Sequence, residues 1–164
     1  MDESGLKTNM TRLYGRAYKG ERCHDTVPCG HWESLTILGS IRLDGTTECI
    51  MFEGAVDRKM FDEYIKKMLA PTLRPGDIVI LDNLKVHKSE VAQKLVAARG
   101  ASMLFLPAYS PDLNPIEKMW NKVKQILRGI KARTDEELFV GTGRALDLVS
   151  AADAEGWFAS CGYV

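Results

Sequence analysis

"GDIVILDN", residues 76–83, is the stretch on which the fold turns. Its apolar core, Ile78 to Leu81, runs directly into Asp82 and Asn83. An uninterrupted apolar run this short reads as a central strand buried on both faces. A carboxylate at the carboxyl end of such a strand stands over the crevice where sites form in α/β sheets. The alternative for Asp82 is a loop aspartate that caps a neighbouring turn.

Working outward, "SEVAQKLVAARG" (89–100) predicts a helix with Ser89 as N-cap and Gly100 as its stop. "ASMLFLP" (101–107) predicts a second short buried strand. Upstream, "WESLTILGSIRLDG" (32–45) and "TTECIMFEG" (46–54) predict two strands of a hairpin, joined at Asp44-Gly45. Between hairpin and central strand, "DRKMFDEYIKKMLAP" (57–71) has helical apolar spacing, and Pro71 is expected to stop it. Residues 5–31 read as a long irregular loop. The order hairpin, helix, strand, helix, strand, helix, helix gives an α/β domain with a mixed sheet.

"LFLPAYSPDLNPIEKMW" (104–120) follows the second buried strand and opens a helix expected to run from Pro115 to about Ile130. Pro115 suits the first helical position, Asn114 the N-cap, and Glu117 the third helical position. Asn-x-x-Glu resembles a capping box, which would make Glu117 structural. Against that stands the polar side of the helix, Glu117, Asn121, Lys124 and Arg128. A carboxylate followed by bases on one face suits a metal site beside a phosphate track. Asp112, in the proline-rich loop, ranks below Glu117 because it suits a local turn. A further helix is expected over about 134–150, and the apolar tail "EGWFASCGYV" is expected to dock.

The 164 residues suit one domain with a real core. Net charge is zero. Yet from Lys118 to Arg133 the chain carries only basic charges, a block that reads as a solvated helix face or an electrostatic track for phosphates. No apolar run reaches membrane length, and no signal segment opens the chain, so a cytoplasmic location is expected. Cys23, His24, Cys29 and His31 cluster in sequence, but their spacing matches no paired CxxC zinc pattern. Two neighbouring carboxylates share a proton or bind a cation, and oxygen ligands favour Mg²⁺ or Mn²⁺. Asp2, in "MDESG", is the remaining acid for such a set, although by itself it reads as a terminal acid. Strand alternation would put Glu3 on the opposite face.

"DESG", "YGRAYKG", "ILDNLKVH" and "LPAYSPDLNPIEKMWNKVK", in that order, resemble the DDE transposases of bacterial insertion sequences related to the mariner elements. The resemblance extends to the tail, and its most specific block is "YSPDLNPIE". Between Asp82 and Glu117 lie 34 residues, the separation that marks this group's second and third acids. The resemblance implies a ribonuclease-H-like fold and a catalytic, metal-binding triad of Asp2, Asp82 and Glu117. It implies two Mg²⁺ ions, with Mn²⁺ as substitute, and accessory roles for Asn83, His87 and Asn114. DNA backbone is expected at Arg12, Arg16, Lys19 and Arg22 in the glycine-containing segment, and at Lys118, Asn121, Lys124 and Arg128 on the helix. The implied activity is cleavage and strand transfer on double-stranded DNA, both transposon ends and target, by a homodimer. The implied location is the bacterial nucleoid.

Only Met1 precedes Asp2, so the first strand of that fold is expected to be largely truncated, and the helix-turn-helix region that precedes it in the family to be absent. An upstream DNA-binding polypeptide is then a further expected partner. The competing reading is a catalytically inactive remnant that serves as a DNA-binding or dimerisation module.

Overall fold

The computed structural model describes residues 1–163. Strands β1 (Asp2–Lys7), β2 (Ser34–Ile41) and β3 (Thr47–Glu53) form an antiparallel sheet in the order β1-β2-β3. Asp2 lies opposite Gly39 and Lys7 opposite Ser34. Strands β4 (Ile78–Leu81) and β5 (Ser102–Phe105) pair in parallel, with Ile78 opposite Ser102. The Met1 amine donates to the Ile80 carbonyl at 2.6 Å and ties the start of β1 to β4.

Two local devices set this order. At the β2–β3 turn, Gly45 adopts φ +85°, and Arg42 N–H donates to the Thr46 carbonyl at 2.9 Å. The left-handed backbone there is what Asp-Gly supplies cheaply. The parallel β4–β5 pair needs a crossover, and helix α3 (Glu90–Ala97) provides it. The Ser89 side chain caps α3 by accepting from Ala92 N–H, and Gly100, at φ +72°, turns the chain into β5.

The expectation of a nearly absent first strand is corrected. Asp2–Lys7 is a six-residue strand, and the irregular segment begins after it, not at residue 5. Its apolar signal is weak because Leu6 is the only large apolar residue in it; Asp2 and Ser4 fill the other inward positions. Two strand expectations also change. Ile78 is 61% exposed, so β4 is not covered along its whole length, and β5 alternates exposed and half-buried residues. β5 is covered on one face only: Met103 and Phe105 pack on the first core, while Leu104 faces outward at 46% exposure.

Helices cover both sides of β2, whose alternating side chains separate two cores. Leu38 packs with Phe61, Tyr64, Ile65, Leu69, Leu81 and Val96. Ile37 packs with Leu6, Met119, Trp120, Val123, Leu127 and Leu138. The first core is built on α1 (Arg58–Tyr64), which continues through a π-helical stretch, Ile65–Leu69, into α2 (Ala70–Thr72). Pro71 therefore lies in the last turn of the helical run, which ends one residue later at Thr72. In a regular helix its ring would meet the carbonyl four residues back; the widened π turn relieves that clash.

The second core is built on α4 (Pro115–Ile130) and α5 (Asp135–Asp147). The chain then breaks and forms α6 (Ala151–Ser160), so the predicted helix 134–150 ends early and the tail is itself helical. Ser150 and Asp153 make a reciprocal capping box at that break. Among the described residues no helix is long and apolar enough to cross a membrane.

Candidate active site

Asp82 immediately follows β4. Its Oδ1 accepts from Leu84 N–H at 3.2 Å and lies 2.5 Å from His87 Nδ1. Glu117 sits in the first turn of α4, as its spacing predicts. The start of α4 is fixed from behind: Cys161 Sγ donates to the Asp112 carbonyl at 3.1 Å, and Tyr163 Oη to the Leu113 carbonyl at 2.8 Å. The apolar tail thus grips the proline-rich loop that aims Glu117.

Asp2, Glu3, Asp82, Asn83, Asn114 and Glu117 line one cavity of about 470 Å³, closed on another side by residues 106–111. The three predicted acids, far apart in sequence, come to one cleft. A smaller cavity of about 210 Å³ adjoins through Asn114. Its only acid, Asp77, is already paired with Arg42 at 2.8 Å, so the chemistry belongs to the larger one.

The capping-box reading of Glu117 does not hold. Asn114 precedes the helix in extended conformation, but its side chain makes no capping bond. Its Oδ1 is instead buried without a hydrogen-bond partner. The Glu117 side chain is therefore not committed to a cap, and a buried oxygen beside it lacks a donor, a costly state that a bound cation or water relieves.

Asp2 is 7% exposed. Burial, together with the charges of Glu117 and Glu3 and against the amide bond from Glu3, pushes its pKa up to about 7. Lys124 lies near the same acids: burial, with the charge of Arg128, holds its pKa below the ordinary value, and Glu117 and Asp2 offset this only in part. His87 is fully buried. Burial opposes its protonation, but Glu3 and Asp82 outweigh that and raise its pKa above the ordinary value. Among the described residues no three acidic, histidine or cysteine side chains already stand as a tight ligand set.

The predicted DNA-contact residues divide into two groups. Lys118, Lys124 and Arg128 are half-buried on α4, and Asn121 is exposed there, accepting from Gln125 at 3.1 Å. Arg12, Arg16, Lys19 and Arg22 are exposed on the segment between β1 and β2, outside the cleft lining. Other members of the basic block serve as staples. Lys122 pairs with Asp153, Lys131 with Asp25, and Arg133 donates to the Thr8 and Met10 carbonyls. Cys23, His24, Cys29 and His31 are all exposed on the same segment. The residue that sequence reasoning missed is Glu3, whose Oε2 lies 3.0 Å from His87 Nε2. Its partner is 84 positions away, and no local pattern announces such a pair.

Carboxylates delivered to one cleft by the start of a strand, the end of a strand and the first turn of a helix define an acid-cluster α/β protein. The family model described as DDE superfamily endonuclease matches residues 1–139, and the chain belongs to that family. Nematode transposases are similar in sequence. The Tcb1 transposase of Caenorhabditis briggsae is 29% identical over 90 residues, which are 52% of this chain and 33% of the relative. The Tc1 transposase of Caenorhabditis elegans is 28% identical over 91 residues, 53% and 33% of the two chains. Among solved structures, the Mos1 strand transfer complex superposes with TM-score 0.70 at 16% identity, covering 98% of this chain and 50% of the other. The Mos1 mariner paired-end complex with Mn superposes with TM-score 0.69 at 12% identity, covering 98% and 51%. The described fold is therefore shared with about half of the Mos1 chain, a ribonuclease-H-like mixed α/β fold. The chain spans about a third of the curated relatives' length and half of the solved ones'.

Proposed function

We propose that this chain is a transposase catalytic domain that cuts and joins DNA with Asp2, Asp82 and Glu117. The observation that carries the reading is that these three acids line one cleft. The donor set fits hard divalent cations. It is all oxygen, Asp2 is strained toward neutrality by burial and by Glu117, and Asn114 Oδ1 is an unpartnered oxygen in the same wall. Bound between these acids, two Mg²⁺ ions, or Mn²⁺ in their place, would activate the attacking oxygen and stabilise the leaving 3′ oxygen of a phosphodiester.

The chain's own groups do the rest. Asp82, locked through Oδ1, leaves Oδ2 for a ligand bond. Lys124, beside Glu117 and Asp2, offers a positive charge to the phosphate that enters the cleft. Lys118, Asn121 and Arg128 continue that face of α4 along a DNA backbone, and Arg12, Arg16, Lys19 and Arg22 reach it from the exposed β1–β2 connection as a second, non-catalytic set of contacts. Residues 1–164 act as one catalytic domain. The further affiliation, to bacterial insertion sequences acting at the nucleoid as homodimers, follows the resemblance whose most specific block is "YSPDLNPIE".

The alternative is an inactive DNA-binding or dimerisation remnant. Nicking of supercoiled plasmid in Mn²⁺ separates the two. The parent chain is expected to nick, and Asp82→Ala and Glu117→Ala are expected not to. A folded parent that leaves the plasmid intact would overturn the catalytic reading.

A further inference from the structure

We propose that Glu3 and His87 are positioning residues that fix the orientation of the two aspartates flanking them, an inference that rests on the metal-site reading above. Glu3 touches both sides of the cleft. Its backbone N–H donates to Asp2 Oδ1 at 2.8 Å. Its side-chain Oε2 lies 3.0 Å from His87 Nε2, and His87 Nδ1 lies 2.5 Å from Asp82 Oδ1. One residue thus holds Asp2 directly and Asp82 through a ring.

The ring at the centre of this chain of contacts is held on every side. The His87 ring is fully buried and lies against Phe61 of α1, with centroids 4.8 Å apart and planes tilted by 31°. The His87 N–H closes a turn on the Leu84 carbonyl at 3.1 Å, and Leu84 N–H in turn donates to Asp82 Oδ1. Each aspartate is therefore bonded through Oδ1, and each keeps Oδ2 for a cation. Strand alternation makes this division possible. Asp2 belongs to the α4 side with Glu117, while the neighbouring Glu3 reaches the α1 side, where His87 packs. Outer partners of this kind hold a ligand carboxylate in its binding geometry, and their loss typically lowers metal affinity about 10–100-fold. A buried histidine that merely satisfies its own nitrogens would affect stability and leave the affinity alone.

The test is Mn²⁺ titration by calorimetry on the parent, Glu3→Ala, Glu3→Gln and Arg42→Ala, each first checked for a native circular-dichroism spectrum at the titration temperature. Arg42→Ala removes an ion pair outside the cleft and controls for destabilisation. Glu3→Ala is expected to weaken Mn²⁺ binding about tenfold. Glu3→Gln keeps an acceptor for His87 and is expected to recover most of that loss. Arg42→Ala is expected to bind like the parent. Equal affinity for Glu3→Ala and the parent overturns the positioning role and leaves the metal site standing. Equal weakening in Glu3→Ala and Arg42→Ala likewise overturns it, because the effect would then follow stability. A parent that binds no Mn²⁺ overturns the metal-site reading itself, and the positioning role with it.

Discussion

At the cleft, Asp82 is held by two bonds to one oxygen, by a ring wedged against Phe61, and by the strand behind it. Between β1 and β2, residues 12–31 are exposed throughout, including Leu13, Tyr14 and Tyr18 at 80% or more. That segment is fastened at its ends. Thr8 N–H donates to the Glu33 carbonyl at 3.1 Å and Glu33 N–H to Thr8 Oγ1 at 3.0 Å, while Arg133 grips the Thr8 and Met10 carbonyls. The cleft is built for fixed geometry, which in-line phosphoryl chemistry requires. The segment is built to present charge, and for charge on a DNA backbone position matters less than number. The two regions should therefore fail differently when altered.

The largest effect is expected at the cleft. Asp82→Ala should lower nicking by at least about 100-fold, because a ligand carboxylate is removed from the reacting site. Its melting temperature should fall only modestly, because buried His87 Nδ1 loses its partner while both hydrophobic cores stay intact. DNA binding measured by fluorescence anisotropy should persist. Lost binding together with lost nicking would erase the distinction between the two regions.

The opposite pattern is expected from the segment. Changing Arg12, Arg16, Lys19 and Arg22 together to Ala should lower DNA affinity about 10–100-fold at moderate salt and flatten the salt dependence. Thermal stability should barely move, since all four side chains are exposed. An unchanged salt slope would remove the segment from the DNA interface.

Sequence legibility follows the same division. β4, α3 and α4 were readable because apolar periodicity, Ser89, Gly100 and Pro115 mark them locally. Asp82 and Glu117 were readable because each sits at a punctuated boundary. β1 was not, because pairing with β2 makes "DESGLK" a strand, and pairing leaves no local signature when small polar residues fill the inward positions. The break between α5 and α6 did have a signal, "SAAD" at 150–153, the pattern of a capping box. Asn114 shows the reverse failure. The capping pattern was present, but the side-chain bond is not made. Glu3 and His87 meet only in three dimensions.

A smaller effect tests how tightly the scaffold beneath the cleft is packed. Gly39 faces Asp2 across the β1–β2 pair. A Cβ there would stand 2.5 Å from Cys49 Sγ, 3.0 Å from Trp120 Cη2 and 3.2 Å from the Glu48 carbonyl. Gly39→Ala should cost about 1–3 kcal/mol in urea unfolding, as overpacked cores do. The exposed Gly20, with open space around its Cβ position, offers the contrast in the segment, although its φ of +93° makes Asn the milder replacement. Equal stability changes at the two glycines would contradict the packing difference.

The smallest effect concerns the tail that steadies α4. Asp153 accepts from Lys122 at 2.5 Å and from the Ser150 amide and hydroxyl at 2.9 and 2.7 Å. The bond from Lys122 leads these in drawing its pKa from 3.8 down to about 2. A depressed folded-state pKa means that the folded protein favours the ionised carboxylate more than the unfolded chain does. The resulting stability is complete above the unfolded value and disappears as pH falls through the folded one. The melting-temperature gap between the parent and Asp153→Asn should thus be constant from pH 5 to 8, the range above the unfolded value, and should narrow between about pH 4 and 2. Because the pair is partly exposed, the stability difference behind that gap should be small, on the order of 1 kcal/mol or less. Other carboxylates titrate over the same range, but they do so in both proteins, and the difference isolates Asp153. A gap that persists unchanged at pH 2 would mean that the charge on Asp153 contributes nothing, and that neither the ion pair to Lys122 nor the ionised cap on Ser150 holds α6 against α4.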